Sequence, residues 1–255
     1  MTTATKLIQI YQSLNLNEVI DHEKFSHYAI THHSTNLEGS TLTETETQLL
    51  LDEGRTPKGK PLTHSLMAKD HYDALLFLLE GAKEKKTIDV AFIQDINARV
   101  LKNTGAVYNT SLGTIDSSKG EFRKSNVRAG NRYFVNYAKV PEYTEQFTLQ
   151  LVQKLQTMDT VEEQLLLSFE AHFDLVSIHP LYDGNGRSSR LLMNFIQAYF
   201  GLPLAIVFTE DKVDYFDALE AARKQDNKKP FYDFIQSQYE KHLGAEIKRF
   251  NDMMK

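Results

Sequence analysis

The chain has 255 residues, room for one large domain or two small ones, and its 41% apolar and 25% charged side chains are ordinary for a folded protein. Cysteine is absent, which excludes disulfide frameworks, thiolate nucleophiles and cysteine-ligated zinc or iron–sulfur centres. With 29 Lys+Arg against 34 Asp+Glu the formal charge is −5, the wrong sign for a general binder of nucleic acid or anionic membrane.

Residues 1–20 lack a basic stretch followed by an apolar core, and the most apolar runs, 74–79 and 204–208, are far too short to span a bilayer. A cytoplasmic protein is expected. Residues 22–38 suit a helix that puts Ser34 and Glu38 on one face, with Gly39 placed to end it. Thr43-x-x-Glu46 has capping-box form and opens a second helix over 44–53. Next, Gly54-Arg-Thr-Pro-Lys-Gly59-Lys60 has the spacing of a phosphate-binding loop, but Pro61 stands where Ser or Thr must hold magnesium, and a helix precedes it instead of a strand. It reads as a basic loop.

Strand signals are sparse. The best is 120–130, where 121–123 and 126–128 would pair as a short hairpin between glycines. Pro141 suits the first turn of a helix. Thr160-x-x-Glu163 caps another, which carries Leu165, Phe169, Phe173 and Val176 on one face, with His172 beside them as a core histidine. A helix starting near Arg187 and stopping at Gly201, and a last one over 229–248, complete a mainly α chain. His27, His32 and His33 have no partners at metal-ligand spacing and are assigned to a helix surface. With few glycines and prolines and no linker, one continuous body is expected, residues 1–62 being an N-terminal helical segment and 63–255 a core with C-terminal helices.

One segment carries chemistry: His179-Pro-Leu-Tyr-Asp183-Gly184-Asn185-Gly186-Arg187-Ser-Ser-Arg190. Pro180 helps end the helix before it, the two glycines free the backbone to present amide N–H groups, and the next helix adds its own N-terminal donors. Arg187 and Arg190 share a face of a first helical turn, where a cation costs roughly 0.3–1 kcal/mol against the dipole. Such a cost is expected where a polyphosphate binds. Asp183 offers the hard oxygen that a divalent cation takes, and His179 can accept a proton from a hydroxyl near neutral pH. The parts describe transfer of a nucleotidyl or phosphoryl group from a polyphosphate to an alcohol.

His179 to Arg190 resembles the signature of the Fic-domain family, H-x-F-x-(D/E)-G-N-G-R-x-x-R, with Leu181 in place of the phenylalanine. The resemblance extends over about residues 31–239. It implies a Fic-type helical core with a short β-hairpin flap, and AMPylation, the transfer of AMP from ATP to a Ser, Thr or Tyr hydroxyl of a target protein with release of pyrophosphate. It implies His179 as general base and Asp183 as ligand of magnesium. Gly184, Asn185, Gly186 and Arg187 would contact phosphate, and Arg190 would orient the γ-phosphate. Ser125, Asn126, Val127 and Arg128 would form the flap that pairs with the target. Upstream, Ser34-Thr-Asn-Leu-Glu38-Gly39 resembles the family's inhibitory motif, of the class II type, which implies that Glu38 pairs with Arg190 and displaces the γ-phosphate. For that purpose the pair should be desolvated. The expected partners are ATP and a protein target, with no nucleic acid or membrane, and a homo-oligomer is admitted. The alternatives are a deAMPylating hydrolase of the same fold and a non-catalytic ATP-binding module.

Overall fold

The computed structural model describes residues 2–14, 16, 21–129 and 132–253. Helices α1 (Thr3–Ser13), α2 (His22–Leu37), α3 (Glu44–Glu53), α4 (Leu62–Lys83) and α5 (Val90–Val100) come first. Two short antiparallel ladders follow, β1 (Val107–Thr110) with β2 (Gly113–Asp116), and β3 (Arg128–Ala129) with β4 (Arg132–Tyr133). The remainder is α6 (Val140–Leu155), α7 (Val161–Ile178), α8 (Asn185–Tyr199), α9 (Lys212–Lys224) and α10 (Lys229–Met253). The fold is mainly α, as expected.

Helix ends follow local chemistry. Thr43 and Thr160 each accept from the N–H three residues on, and Glu46 and Glu163 reach back to the cap N–H, so both capping boxes form. Gly54 closes α3 in the left-handed region (φ +71°). It is followed by a loop and α4, not by the strand-to-helix turn of a phosphate-binding loop.

Packing places α7 and α8 at the centre. One side of α7, with Leu167, Ala171 and Leu175, joins Leu191, Leu192 and Phe195 of α8 in a core shared with α4, α5 and α6. The opposite side, with Leu165, Phe169, Phe173 and Val176, joins a second core built with Tyr215 and Leu219 of α9 and Phe231, Ile235 and Tyr239 of α10. A helix apolar on both sides must be covered on both, which fixes α7 in the interior. Ala4 and Ile8 of α1 and Leu37 at the end of α2 enter the second core, so the N-terminal segment packs directly against the C-terminal helices.

Two expectations need correction. Residues 121–123 do not pair with 126–128. Phe122 bridges to Leu181 instead, and the Arg123 N–H donates to the Pro180 carbonyl at 3.0 Å. The cause is Arg123, whose buried guanidinium is satisfied by the carbonyls of His179, Ser125 and Val135, so this stretch is tied to the loop after α7. The ladder forms further on, by Arg128 opposite Tyr133 and Ala129 opposite Arg132, on either side of Gly130-Asn131, which lie outside the described residues. The second correction concerns the histidines of α2. His27 and His32 are buried and His33 is half-buried, edge-on to Phe208 at 4.9 Å, because α2 is covered by α3, α4 and the 204–211 stretch.

Candidate active site

The loop between α7 and α8 is held from within. His179 ends α7 in the left-handed region (φ +53°), its N–H still bonded to the Leu175 carbonyl at 3.0 Å. Leu181 is buried and anchors the loop. The Asn185 side chain accepts from the Leu181 N–H at 3.1 Å and donates to the Leu181 carbonyl at 2.9 Å. Both ends of that amide are therefore engaged, and what Asn185 can offer a ligand is its backbone N–H. Gly184 (φ +78°) leaves room for Asn97, whose amide donates to the Asp183 carbonyl at 3.0 Å and to Ser188 Oγ at 3.2 Å. A Cβ on Gly184 would collide with that amide. Asn97 was not among the sequence candidates, although a lone amide on the apolar face of α5 was a visible signal.

Asp183 faces outward with 50% of its side chain exposed, its Oδ1 accepting from the Gly184 N–H at 2.6 Å and from Arg187 Nη2 at 3.2 Å. Arg187 and Arg190 are buried. Arg190 Nε donates to Ser34 Oγ at 3.0 Å, and Nη2 donates to the Ser34 carbonyl at 2.9 Å and to Glu38 Oε1 at 2.7 Å. Three buried guanidinium nitrogens, Arg187 Nε and Nη1 and Arg190 Nη1, have no acceptor among the described residues. A buried charged donor without a partner is costly, so this pocket is built for an anion it does not itself supply in full.

Glu38 follows the last residue of α2, and Gly39 (φ +101°) turns the chain away, its N–H bonded to the Asn36 carbonyl at 3.1 Å. The ion pair is one-sided: 3% of the Arg190 side chain is exposed but 27% of Glu38. Burial pushes the Glu38 carboxyl up, yet Arg190 and Arg187 together outweigh it and hold the group below its ordinary value. Burial likewise pulls Arg190 down, and Glu38 more than compensates. Behind the pair, the Tyr215 ring lies 5.9 Å from the Arg190 guanidinium, and its hydroxyl meets His172 Nε2 at 2.9 Å. His172 is thus a core histidine with one nitrogen paired, while its Nδ1 has no partner among the described residues.

His179 lies under Phe134, ring centroids 3.9 Å apart and nearly parallel. Its pKa falls from 6.5 to about 4, first through burial and then through the cationic Arg123 and Arg223. The imidazole is neutral at physiological pH and free to accept a proton. Of the expected flap residues, the Ser125 carbonyl accepts from Arg123 Nη1 at 2.9 Å and its hydroxyl shares a hydrogen bond with the Tyr182 hydroxyl. Asn126 Oδ1 accepts from the Tyr137 N–H at 3.1 Å, and the Val127 carbonyl accepts from the Phe134 N–H at 3.2 Å. Arg128 is exposed and opens β3. Arg123 and Phe134, which hold His179, were missed in the sequence because nothing local marks a residue whose partners are remote carbonyls or a remote ring.

Residues 87–197 match the Fic/DOC family. The chain is 30% identical over 237 residues to protein adenylyltransferase fic-1 of Caenorhabditis briggsae, a match covering 90% of this chain and 42% of that protein. It therefore spans less than half the length of that curated relative. Among solved structures, a Fic domain-containing signaling protein from Bacteroides thetaiotaomicron superposes with a TM-score of 0.84 at 22% identity, covering 98% of this chain and 97% of the other. A fragment of Fic-1 from Caenorhabditis elegans superposes with a TM-score of 0.73 at 24% identity, covering 99% and 72%. No helix among the described residues is long and apolar enough to cross a membrane.

Proposed function

The chain carries a Fic/DOC-family domain, and on that premise we propose that it is a protein adenylyltransferase restrained by its own Glu38. The observation that carries this reading is the set of three guanidinium nitrogens at the start of α8 left unmet among the described residues, in the helix that follows a histidine kept neutral. The substrates are ATP and a Ser, Thr or Tyr hydroxyl on another protein. His179 takes the hydroxyl proton, the oxygen forms a bond to the α-phosphorus, and the bond from that phosphorus to the bridging oxygen breaks, releasing pyrophosphate. Arg187, Arg190 and the first amides of α8 hold the charge that gathers on the phosphates. The donor set fits magnesium: Asp183 presents a half-exposed carboxylate, and this ion needs only one or two protein carboxylates when phosphates complete its shell. When bound, the ion would neutralise phosphate charge.

Glu38 occupies the Arg190 fork that a γ-phosphate would use, which holds ATP in an unproductive pose. Keeping such a switch at 99:1 needs about 2.7 kcal/mol, half of the full span from 1:99 to 99:1. A buried Arg190 fixed by Ser34 as well as Glu38 is consistent with a pair of that strength. The test is mass spectrometry after incubation with ATP and magnesium. Glu38→Gly should gain one AMP on itself or on a supplied protein, and the gain should vanish with His179→Ala. A phosphate-sized gain, or none, overturns the transferase; incorporation equal to that of the parent chain overturns the restraint.

One observation favours a second reading. Glu38 engages Arg190 through Oε1, and its side chain remains partly open, so Oε2 can hold a water for removal of AMP from a target. Release of AMP from a pre-AMPylated protein by the parent chain, lost in Glu38→Gly, would establish that direction.

A further inference from the structure

On the β4 side of His179 lies a second polar cleft, of about 540 Å³, walled by Arg132 and Val135, by Tyr143, Gln146 and Gln150 of α6, and by Ser177 and Ile178 of α7. Ser177 and Ile178, the two residues before His179, form part of its wall. Arg132 lies over the Phe134 ring at 5.0 Å, and that ring stacks on the His179 imidazole. The Nη1 of Arg132 is buried without a partner among the described residues. The acid of the cleft, Asp174, is already taken, with Lys228 Nζ 2.6 Å from Oδ1 and 2.8 Å from Oδ2.

A second cation bonds to one residue of that wall. Arg223 donates to Ser177 Oγ at 3.3 Å and to the Val176 carbonyl at 3.4 Å. Burial and then the nearby Arg132 push its pKa down to about 10, and its neighbouring acid, Glu220, is paired with Lys224 at 2.5 Å. Two arginines therefore crowd one side of His179 with no carboxylate assigned to either.

We propose that this cleft is the acceptor subsite and that Arg132 receives an acidic side chain flanking the hydroxyl to be modified. The inference rests on the adenylyltransferase reading. ATP carries its charge in the phosphates, for which Arg187, Arg190 and the start of α8 supply donors, and no residue of those lines this cleft. The nucleoside is uncharged. The anion left for Arg132 is on the protein segment that delivers the hydroxyl, and a carboxylate matches its fork.

The experiment uses the Glu38→Gly chain, labelled ATP, and paired peptides whose Thr or Tyr is flanked within two residues by Asp or by Asn. The Asp peptide should be modified at least fivefold faster in kcat/KM. Arg132→Gln should bring that ratio close to one, and Arg132→Glu should reverse it in favour of a Lys-flanked peptide. A ratio near one in the Glu38→Gly parent, or one that survives Arg132→Gln, overturns the proposal. So does an Arg132→Gln effect confined to the KM for ATP, which would assign the arginine to nucleotide. Modification without acidic preference defeats this inference alone, whereas no AMP transfer to any acceptor defeats the underlying reading with it.

Discussion

Gly186 and Glu38 share a space that admits only one of them to be larger. A Cβ built on Gly186 would stand closer to Glu38 Oε1 than any real carbon–oxygen contact, and 3.2 Å from Arg190 Nη1. The glycine thus lets the carboxylate reach the first turn of α8, 148 positions away in sequence (186 − 38).

This contact makes the effect of Gly186→Ala depend on its background. With Glu38 present, the methyl must displace the carboxylate from Arg190, which offsets the gain of up to about 1 kcal/mol expected for Ala over Gly inside a helix. In Glu38→Gly that gain should return. Urea unfolding of the four chains should give a coupling of about 0.5–3 kcal/mol, and strictly additive midpoints would show that the two residues do not compete.

Ser34→Ala removes the acceptor of Arg190 Nε while leaving the Ser34 carbonyl in place. A buried charged donor then loses a partner, which costs about 1–3 kcal/mol. Labelled-ATP incorporation should rise to a level between the parent and Glu38→Gly, with Ser34→Thr close to the parent. Unchanged incorporation and stability in Ser34→Ala would show that the Ser34 hydroxyl takes no part in fixing the arginine.

The buried histidines set an acid limit. His33, His179 and His242 are pushed down to about 4, chiefly by burial, and His27, His32, His71 and His172 are lowered as well. The unfolded chain, with histidines near 6.5, binds more protons below that pH than the native one, so stability is retained above it and lost as pH falls from 6.5 towards 4. Urea midpoints should be flat from pH 8 to 7 and decline steadily below 6.5. For the same reason the acid limb of kcat/KM in Glu38→Gly should lie below pH 5, and a limb at 6.5 would contradict a desolvated His179.

Arg123→Met strips donors from the carbonyls of His179, Ser125 and Val135. The expected loss is at least about 2 kcal/mol, since buried carbonyls are left unpaired. Limited proteolysis should cut faster between residues 120 and 136 than elsewhere in the chain, and kcat should fall as His179 loses its main-chain tether. Uniformly faster cutting would instead mark Arg123 as a general core residue.

What the sequence by itself determined was local. Both capping boxes, the glycine ends of helices and the junction at 179–190 depend on bonds closed within a turn or two, and the chain spells them out. The Ser34–Glu38 face was legible for the same reason, by helical spacing. The pairing of Glu38 with Arg190, implied by the motif resemblance, is present at 2.7 Å; the tertiary structure decided what depends on remote burial, that Arg187 and Arg190 are interior and that the α2 histidines are covered. It also decided the state of His179, because desolvation and the fields of Arg123 and Arg223 sum over groups 44 and 56 residues away (223 − 179 and 179 − 123). The paired stretch at 128–133 was misplaced because Arg123 ties its neighbours to the Pro180 carbonyl and Leu181, an attachment that exists only once α7 and its following loop are packed. A side chain carries its charge and shape in the sequence, but the dielectric around it and the partners within reach are properties of the packed interior alone.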